Sequence, residues 1–204
     1  MAYSTISAPL SWQQKIRRSN FICFLHPISS ADEARNLLSA HVKEYANATH
    51  NCYAYICGFD QETQYHSDAG EPHGTAGKPI LNTLLRADMT NIMAIVTRYY
   101  GGVKLGVPGL IEAYGTTVEK TLELAEKIPA TAFTEFSVQS EYGSVDQLLG
   151  LLRSLDGSVA RENWSEKADL VLRVPKDKAD TLREFLAGQA AQSRLQYQEE
   201  DDFA

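Results

Sequence analysis

The chain has 204 residues, 44% of them apolar, so it can bury a sizeable core as one large domain or two small ones. Its formal net charge of −7 excludes a globally basic nucleic-acid binder. The imbalance is uneven: residues 1–130 carry 11 Lys and Arg against 12 Asp and Glu (net −1), and residues 131–204 carry 8 against 14 (net −6), so any phosphate contact is expected in the first part.

In chain order, the opening reads as extended structure, with FICFLHPI (21–28) as its clearest strand. SSADEARNLLSAHVKEYANA (29–48) reads as a helix: Ser30 and Glu33 form a capping box, and Ala34, Leu37, Leu38, His41, Val42 and Tyr45 share one face. NCYAYICGF (51–59) is apolar on both parities, as in a strand covered on both sides. AGKPILNTLLRAD (76–88) is a helix whose Pro79 must lie in the first turn, where no amide partner is lost. NIMAIVTRYY (91–100) is a second buried strand, and GGVKLGVPG turns the chain into the helix LIEAYGTTVEKTLELAEK (110–127). KIPA (127–130) is the best boundary, giving domains 1–130 and 131–204. Beyond it come TEFSVQS, a helix with Val145, Leu148, Leu149, Leu152 and Leu155 on one face and Gly157 as its C-cap, SVARENW, ADLVLRV, a helix around DTLREFLAGQ, and SRLQYQ. That β-α-β-β-α-β order is ferredoxin-like, and the fold class is α+β in two domains. The closing YQEEDDFA is an acidic end that keeps the chain soluble.

Cys23, Cys52 and Cys57 make no disulfide framework, the N-terminus has no basic-then-apolar leader layout, and FICFL is too short to cross a bilayer. The expectation is a reduced cytoplasmic protein without membrane or DNA partners.

SDAGEPHGTAGKPI (67–80) has the look of a phosphate-binding loop, but a Walker A loop needs glycine five residues before Gly77 and Ser or Thr after Lys78, and both places hold proline (Pro72 and Pro79). Gly101, Gly102, Gly106 and Gly109 lack the spacing of a dinucleotide fingerprint. A weaker anion site survives, in which Thr75 caps the helix and the amides of Ala76, Gly77 and Lys78 face out of its N-terminus. Against it stand Asp68 and Glu71, which would repel a phosphate, fill that anion site themselves, or pair with Lys78 or Arg98. His66, Asp68, Glu71 and His73, with His50 and Cys52, are metal-ligand types, but no spacing matches a known zinc pattern, so no metal and no cofactor is expected. Cys52 sits in an apolar run, which favours a buried structural cysteine over a nucleophile, and no catalytic residue is assigned. TRYYGGVKLG brings Arg98, Tyr99, Tyr100 and Lys104 around a glycine pair, a combination suited to stacking on bases and contacting phosphates. The competing reading packs one tyrosine in the core and pairs Arg98 with Asp68 or Glu71.

ATHNCYAY, DAGEPHGTAGKPI and RYYGGVKLGVPGLIEAYG, in that order, resemble the IMPACT family, and its bacterial YigZ-like branch in particular. One departure is GVPGL, where the family pattern is nearer Gly-Ala-Gly-Gly-Leu; Pro108 stiffens that turn. The resemblance implies an N-terminal domain like domain IV of elongation factor G, a type shared with a small-subunit ribosomal protein. It implies a C-terminal domain like domain V of that factor. The motif residues kept are His50, Asn51, Asp68, Glu71, Gly74, Thr75, Gly77, Lys78, Arg98, Tyr99, Gly101, Gly102, Lys104 and Gly106. All but Gly74 are taken as candidate binding residues. The function expected is a non-catalytic, translation-associated regulatory or accessory role, binding RNA or the ribosome. The alternatives are a small enzyme on a phosphorylated ligand, with Asp68 or Glu71 as base or metal ligand, and a regulator acting through a protein partner alone.

Overall fold

The structure, a computed structural model, describes residues 3–200; residues 201–204 of the acidic end lie outside them. The chain separates into two compact units, residues 1–130 and 131–204.

The first unit is built on a five-stranded sheet of β2 (Leu10–Ile16), β3 (Ser19–Pro27), β4 (His50–Cys57), β5 (Thr63–Ser67) and β6 (Ile92–Tyr99), in the order β2-β3-β6-β4-β5. All neighbours are antiparallel. β3 and β4 therefore run parallel on either side of β6 and are joined through α1 (Ala31–Glu44), and β5 and β6 flank β4 and are joined through α2 (Gly77–Arg86). Two crossovers thus interleave on one sheet.

The side-chain alternation of β4 and β6 sends them to opposite faces. Tyr55, Cys57, Met93 and Ile95 meet Ala34 of α1, with Leu37 and Leu38 at the margin. Cys52, Ala54, Ile56, Ala94 and Val96 meet Ile80 and Leu84 of α2 and Leu110, Tyr114 and Val118 of α3 (Gly106–Leu124). Both faces being covered explains why these strands read as unbroken apolar runs. β1 (Ser4–Ile6) pairs with β7 (Lys127–Pro129), tying the two ends of this unit together.

Local chemistry accounts for most boundaries. Ser30 caps α1, its hydroxyl accepting from the Glu33 amide at 3.2 Å, while the Glu33 carboxylate returns to the amide and hydroxyl of Ser29. Val42, expected on the buried face of α1, is 43% exposed. α3 starts earlier than its apolar pattern suggests, because Pro108 is accommodated in the first turn. Its Thr117 and Thr121 hydroxyls donate to the carbonyls four residues back (2.5 and 2.7 Å), which lets them sit fully buried.

The second unit runs β8 (Phe133–Ser140), α4 (Tyr142–Ser154), β9 (Ser158–Trp164), β10 (Ala168–Pro175), α5 (Ala179–Ala191) and β11 (Leu195–Glu200). Its antiparallel sheet has the order β11-β8-β10-β9, the split β-α-β arrangement. Phe136, Val138, Leu170 and Leu172 pack against Leu148, Leu152, Leu182 and Leu186 of the two helices. α4 ends in a Schellman motif with the Gly157 amide on the Leu152 carbonyl at 2.9 Å. The left-handed residue there is Asp156 (φ 55°), one position before the expected Gly157. Gly157 is needed for clearance, since a β-carbon would lie 2.9 Å from the Arg173 carbonyl.

The β2–β3 hairpin turns at Arg17 and Arg18, both at positive φ (43° and 72°), the signature of a type I′ turn that favours Asn-Gly. Two side chains with β-carbons in that region cost stability. Arg17→Asn with Arg18→Gly is expected to stabilise the protein by about 1 kcal/mol, the gain being trimmed by the freedom glycine adds to the unfolded chain. A thermal melt checks this; an unchanged or lowered Tm would contradict it.

Candidate functional site

The loop between β5 and α2 closes on itself around Asp68. The first amides of a helix need outside acceptors. Thr75 does not serve: it is buried, and its hydroxyl donates to the Pro72 carbonyl at 2.6 Å. Asp68 takes its place. Its Oδ1 accepts from the Ala76 and Gly77 amides (3.0 and 2.9 Å) and its Oδ2 from the Gly74 amide (2.8 Å). Left-handed residues Ala69, Gly70 and Gly74 bend the loop back so that the carboxylate reaches the helix start. Gly77 leaves no alternative there, because a β-carbon would lie 2.6 Å from the Ser67 backbone. The chain's own carboxylate thus occupies the anion position at the N-terminus of α2. Burial pushes the Asp68 carboxyl up, but the three amides, helped by His73, outweigh it and hold it below its ordinary 3.8.

Glu71 points into the unit and meets Arg98 from the end of β6. Arg98 Nη1 donates to Glu71 Oε1 at 2.5 Å, with the two side chains only 6% and 3% exposed. The Tyr114 hydroxyl donates to the same oxygen at 2.8 Å. The Cys52 thiol lies 3.3 Å from that hydroxyl and donates to the Asp68 carbonyl at 2.9 Å. His50 stands beside them, Nδ1 at 3.0 Å from the Ala69 carbonyl and Nε2 at 3.9 Å from Glu71 Oε2. Burial pushes the Cys52 thiol up to about 12, against the lowering effect of Tyr114, so it is a thiol and not a nucleophilic thiolate at neutral pH.

Arg98 also joins this interior to the surface. Its Nη2 donates to Ser19 Oγ at 3.3 Å, and its guanidinium lies 5.3 Å from the centroids of the Phe21 and Tyr100 rings. Ser19, fully buried just after the hairpin turn, also accepts from the Gly101 amide at 3.2 Å. A β-carbon on Gly101 would come 2.0 Å from the Arg18 carbonyl, so the glycine pair is where this loop lies against the hairpin.

The expected site residues therefore divide. His50, Asp68, Glu71, Gly77 and Arg98 come together in one internal network, and Thr75 is buried beside it on the Pro72 carbonyl. Arg98 takes the pairing alternative, with Glu71 as its partner, and is too buried to touch an outside ligand. Asn51 lies on the opposite face, where it accepts from the Thr97 hydroxyl at 2.8 Å and donates to the Tyr45 carbonyl at the end of α1. Tyr99 is half-buried, its hydroxyl donating to Asn47 at 3.1 Å. Lys78, Gly102, Lys104 and Gly106 are exposed. Tyr114 and Ser19 are the partners that residue types alone do not single out. Tyr114 lies within the matched motif, and Ser19 follows a two-residue hairpin turn that the flanking alternation of β2 and β3 could have signalled. Among the described residues, no group of three or more His, Cys, Asp or Glu side chains is arranged to hold a metal ion, and no helix is long and apolar enough to cross a membrane.

These features define an α+β protein of two units, whose first unit encloses a Glu-Arg-Tyr network beneath its glycine loops. A family profile described as the Impact N-terminal domain matches residues 17–122. The chain is 35% identical over 190 residues to the IMPACT family member YigZ of Escherichia coli (strain K12), covering 92% of each chain. It is 31% identical over 185 residues to the IMPACT family member YvyE of Bacillus subtilis (strain 168), covering 91% of this chain and 85% of the relative. A crystal structure of a hypothetical protein superposes with a TM-score of 0.70 at 32% identity, covering 96% of both chains. The chain belongs to the IMPACT family.

Two outcomes are expected from this geometry. Asp68 has a lowered folded pKa, so its stabilisation is complete above pH 3.8 and is lost as pH falls through the lower folded value. Asp68→Asn should cost about 1–2 kcal/mol at neutral pH and flatten the acid limb of a stability–pH curve; an unaltered acid limb would contradict the role. Glu71→Ala and Arg98→Ala should each cost about 3–5 kcal/mol, because each strands a buried charge. Removing both should cost much less than the sum, read from denaturant midpoints as a double-mutant cycle, and simple additivity would argue against the pairing.

Proposed function

We propose that this IMPACT-family protein is a non-catalytic, translation-associated regulatory protein that binds RNA or the ribosome through the surface of its first unit. The observation that carries the reading is the division of the motif residues. The groups that could do chemistry are committed internally: Asp68 to three amides, Glu71 to Arg98 and Tyr114, and Cys52 to the Asp68 carbonyl. The cations Lys78 and Lys104 and the half-exposed Tyr100 remain at the surface. Such a division supports binding over acid–base or nucleophilic catalysis, both of which need a free group beside a reacting atom. It also disfavours a phosphorylated ligand at the start of α2, whose anion position Asp68 fills. The translation assignment rests on the resemblance of the motifs and of the domain pair. A cytoplasmic location belongs to the same reading.

RNA titrations at several salt concentrations test it. Binding should weaken linearly in log–log form as salt rises, and Lys78→Ala with Lys104→Ala should flatten that slope by about 0.7 for each phosphate left unneutralised. Absence of binding even at low salt would overturn the RNA reading. A specific protein partner retained after nuclease treatment, with no RNA bound, would support protein contact in its place.

A further inference from the structure

The tip of the β2–β3 hairpin carries strain that internal packing does not explain. Arg17 and Arg18 hold positive φ angles where Asn and Gly are favoured. Both are exposed, as is Lys15, and none of the three side chains has a hydrogen-bond or ion-pair partner among the described residues. Residues kept in a costly backbone conformation without internal partners point to a use outside the fold.

What lies beside them indicates that use. An open groove of about 550 Å³ runs along the hairpin and is lined by Gln13, Lys15, Arg18, Asn20, Tyr99 and Tyr100, among others. None of its lining residues is a carboxylate, although the unit as a whole carries a slight negative charge. Cations, amides and phenol rings line it together. Tyr100 is 44% exposed and its ring rests on the Arg98 guanidinium, so an aromatic surface is held in place while still open to solvent. The hairpin and the tyrosine loop are locked together, since Ser19 accepts from both Arg98 and Gly101, and Gly101 lies against the Arg18 carbonyl. The buried Glu71–Arg98 pair thereby sets the distance between the hairpin's cations and the ring.

We propose that this groove is a binding site for single-stranded RNA. Lys15 and Arg18 in the groove, with Arg17 next to them at the hairpin tip, meet successive phosphates, and Tyr100 offers a face to an unstacked base. Asn20 donates to Gln13 at 3.3 Å, and the two amides use their remaining donors and acceptors on base edges. The inference rests on the RNA reading above and names a part of the surface outside the candidate residues Lys78 and Lys104.

The test uses the full chain and fluorescence anisotropy with a labelled single-stranded RNA of about 12 nucleotides. Arg17→Asn with Arg18→Gly relaxes the turn, so it should melt higher than the parent yet bind more weakly. Its log–log salt slope should be flatter by about 1.4, since two phosphates would go unneutralised. Tyr100→Ala should lower affinity by about tenfold at fixed salt. A raised Tm with diminished binding separates weaker recognition from a damaged fold. If the parent binds RNA and the hairpin and Tyr100 variants bind as it does, while Lys78→Ala with Lys104→Ala loses affinity, the RNA reading stands and this groove is overturned. If duplex RNA of the same length binds as tightly as the single strand, the stacking site is overturned. If the parent binds no RNA at low salt, the groove and the broader reading fall together.

Discussion

Arg98 and Glu71 are a cation and an anion sealed under the first unit, and several neighbouring features take their positions from that pair. A buried ion pair gains little over apolar residues of the same shape, because withdrawing both charges from water cancels much of their attraction. Its importance lies in what an unpaired member would cost. Glu71 can be buried only if Arg98 is opposite it, and Arg98 reaches that point only at the end of β6, beside Ser19 and under the Tyr100 ring. The loop after β5, the end of β6, the turn of the hairpin and the middle of α3 are thus fixed by one shared contact. Tyr114 completes it with a hydroxyl on the same carboxylate oxygen.

Asp68 illustrates the same economy at the start of α2. A helix N-terminus exposes amides that attract anions, and glycine-rich loops before helices commonly hold phosphate there. Here the anion is covalently part of the loop. Filling the site from within makes the helix start independent of ligand. It also leaves the resemblance to a phosphate loop as one of shape, with the positive end of the helix already satisfied.

Much of the architecture is legible in the residue pattern, and the exceptions share a cause. α1, α2, β4, β6 and the β-α-β-β-α-β unit follow from periodicity and capping residues, which are local properties. β5 is not legible, because TQYHS is a polar edge strand whose first three residues are exposed; it is a strand only by pairing with β4. The three-residue β1 and β7 likewise exist through their mutual pairing. At the site, the motif names Asp68, Glu71 and Arg98 but leaves open which carboxylate does which task. That choice depends on the left-handed bends at Ala69, Gly70 and Gly74 and on the depth of Arg98, both of which are tertiary facts. The hairpin's Arg17 and Arg18 go unnoticed because a pair of arginines in a turn reads as ordinary solvent-facing charge.

The three cysteines acquire a use from their placement. Cys23, Cys52 and Cys57 are all buried and unbridged, and burial pushes their thiols up to about 12, 12 and 11. In the folded protein they are shielded both from contact with reagents and from ionisation, so alkylation or oxidation must wait for the chain to open. Each then acts as an internal clock for a different region. Cys23 keeps time for the β3 side of the core and Cys57 for the face under α1. Cys52 keeps time for the Glu71–Arg98–Tyr114 network it touches. The native thiols thereby record, without any label added to the surface, how often that network comes apart.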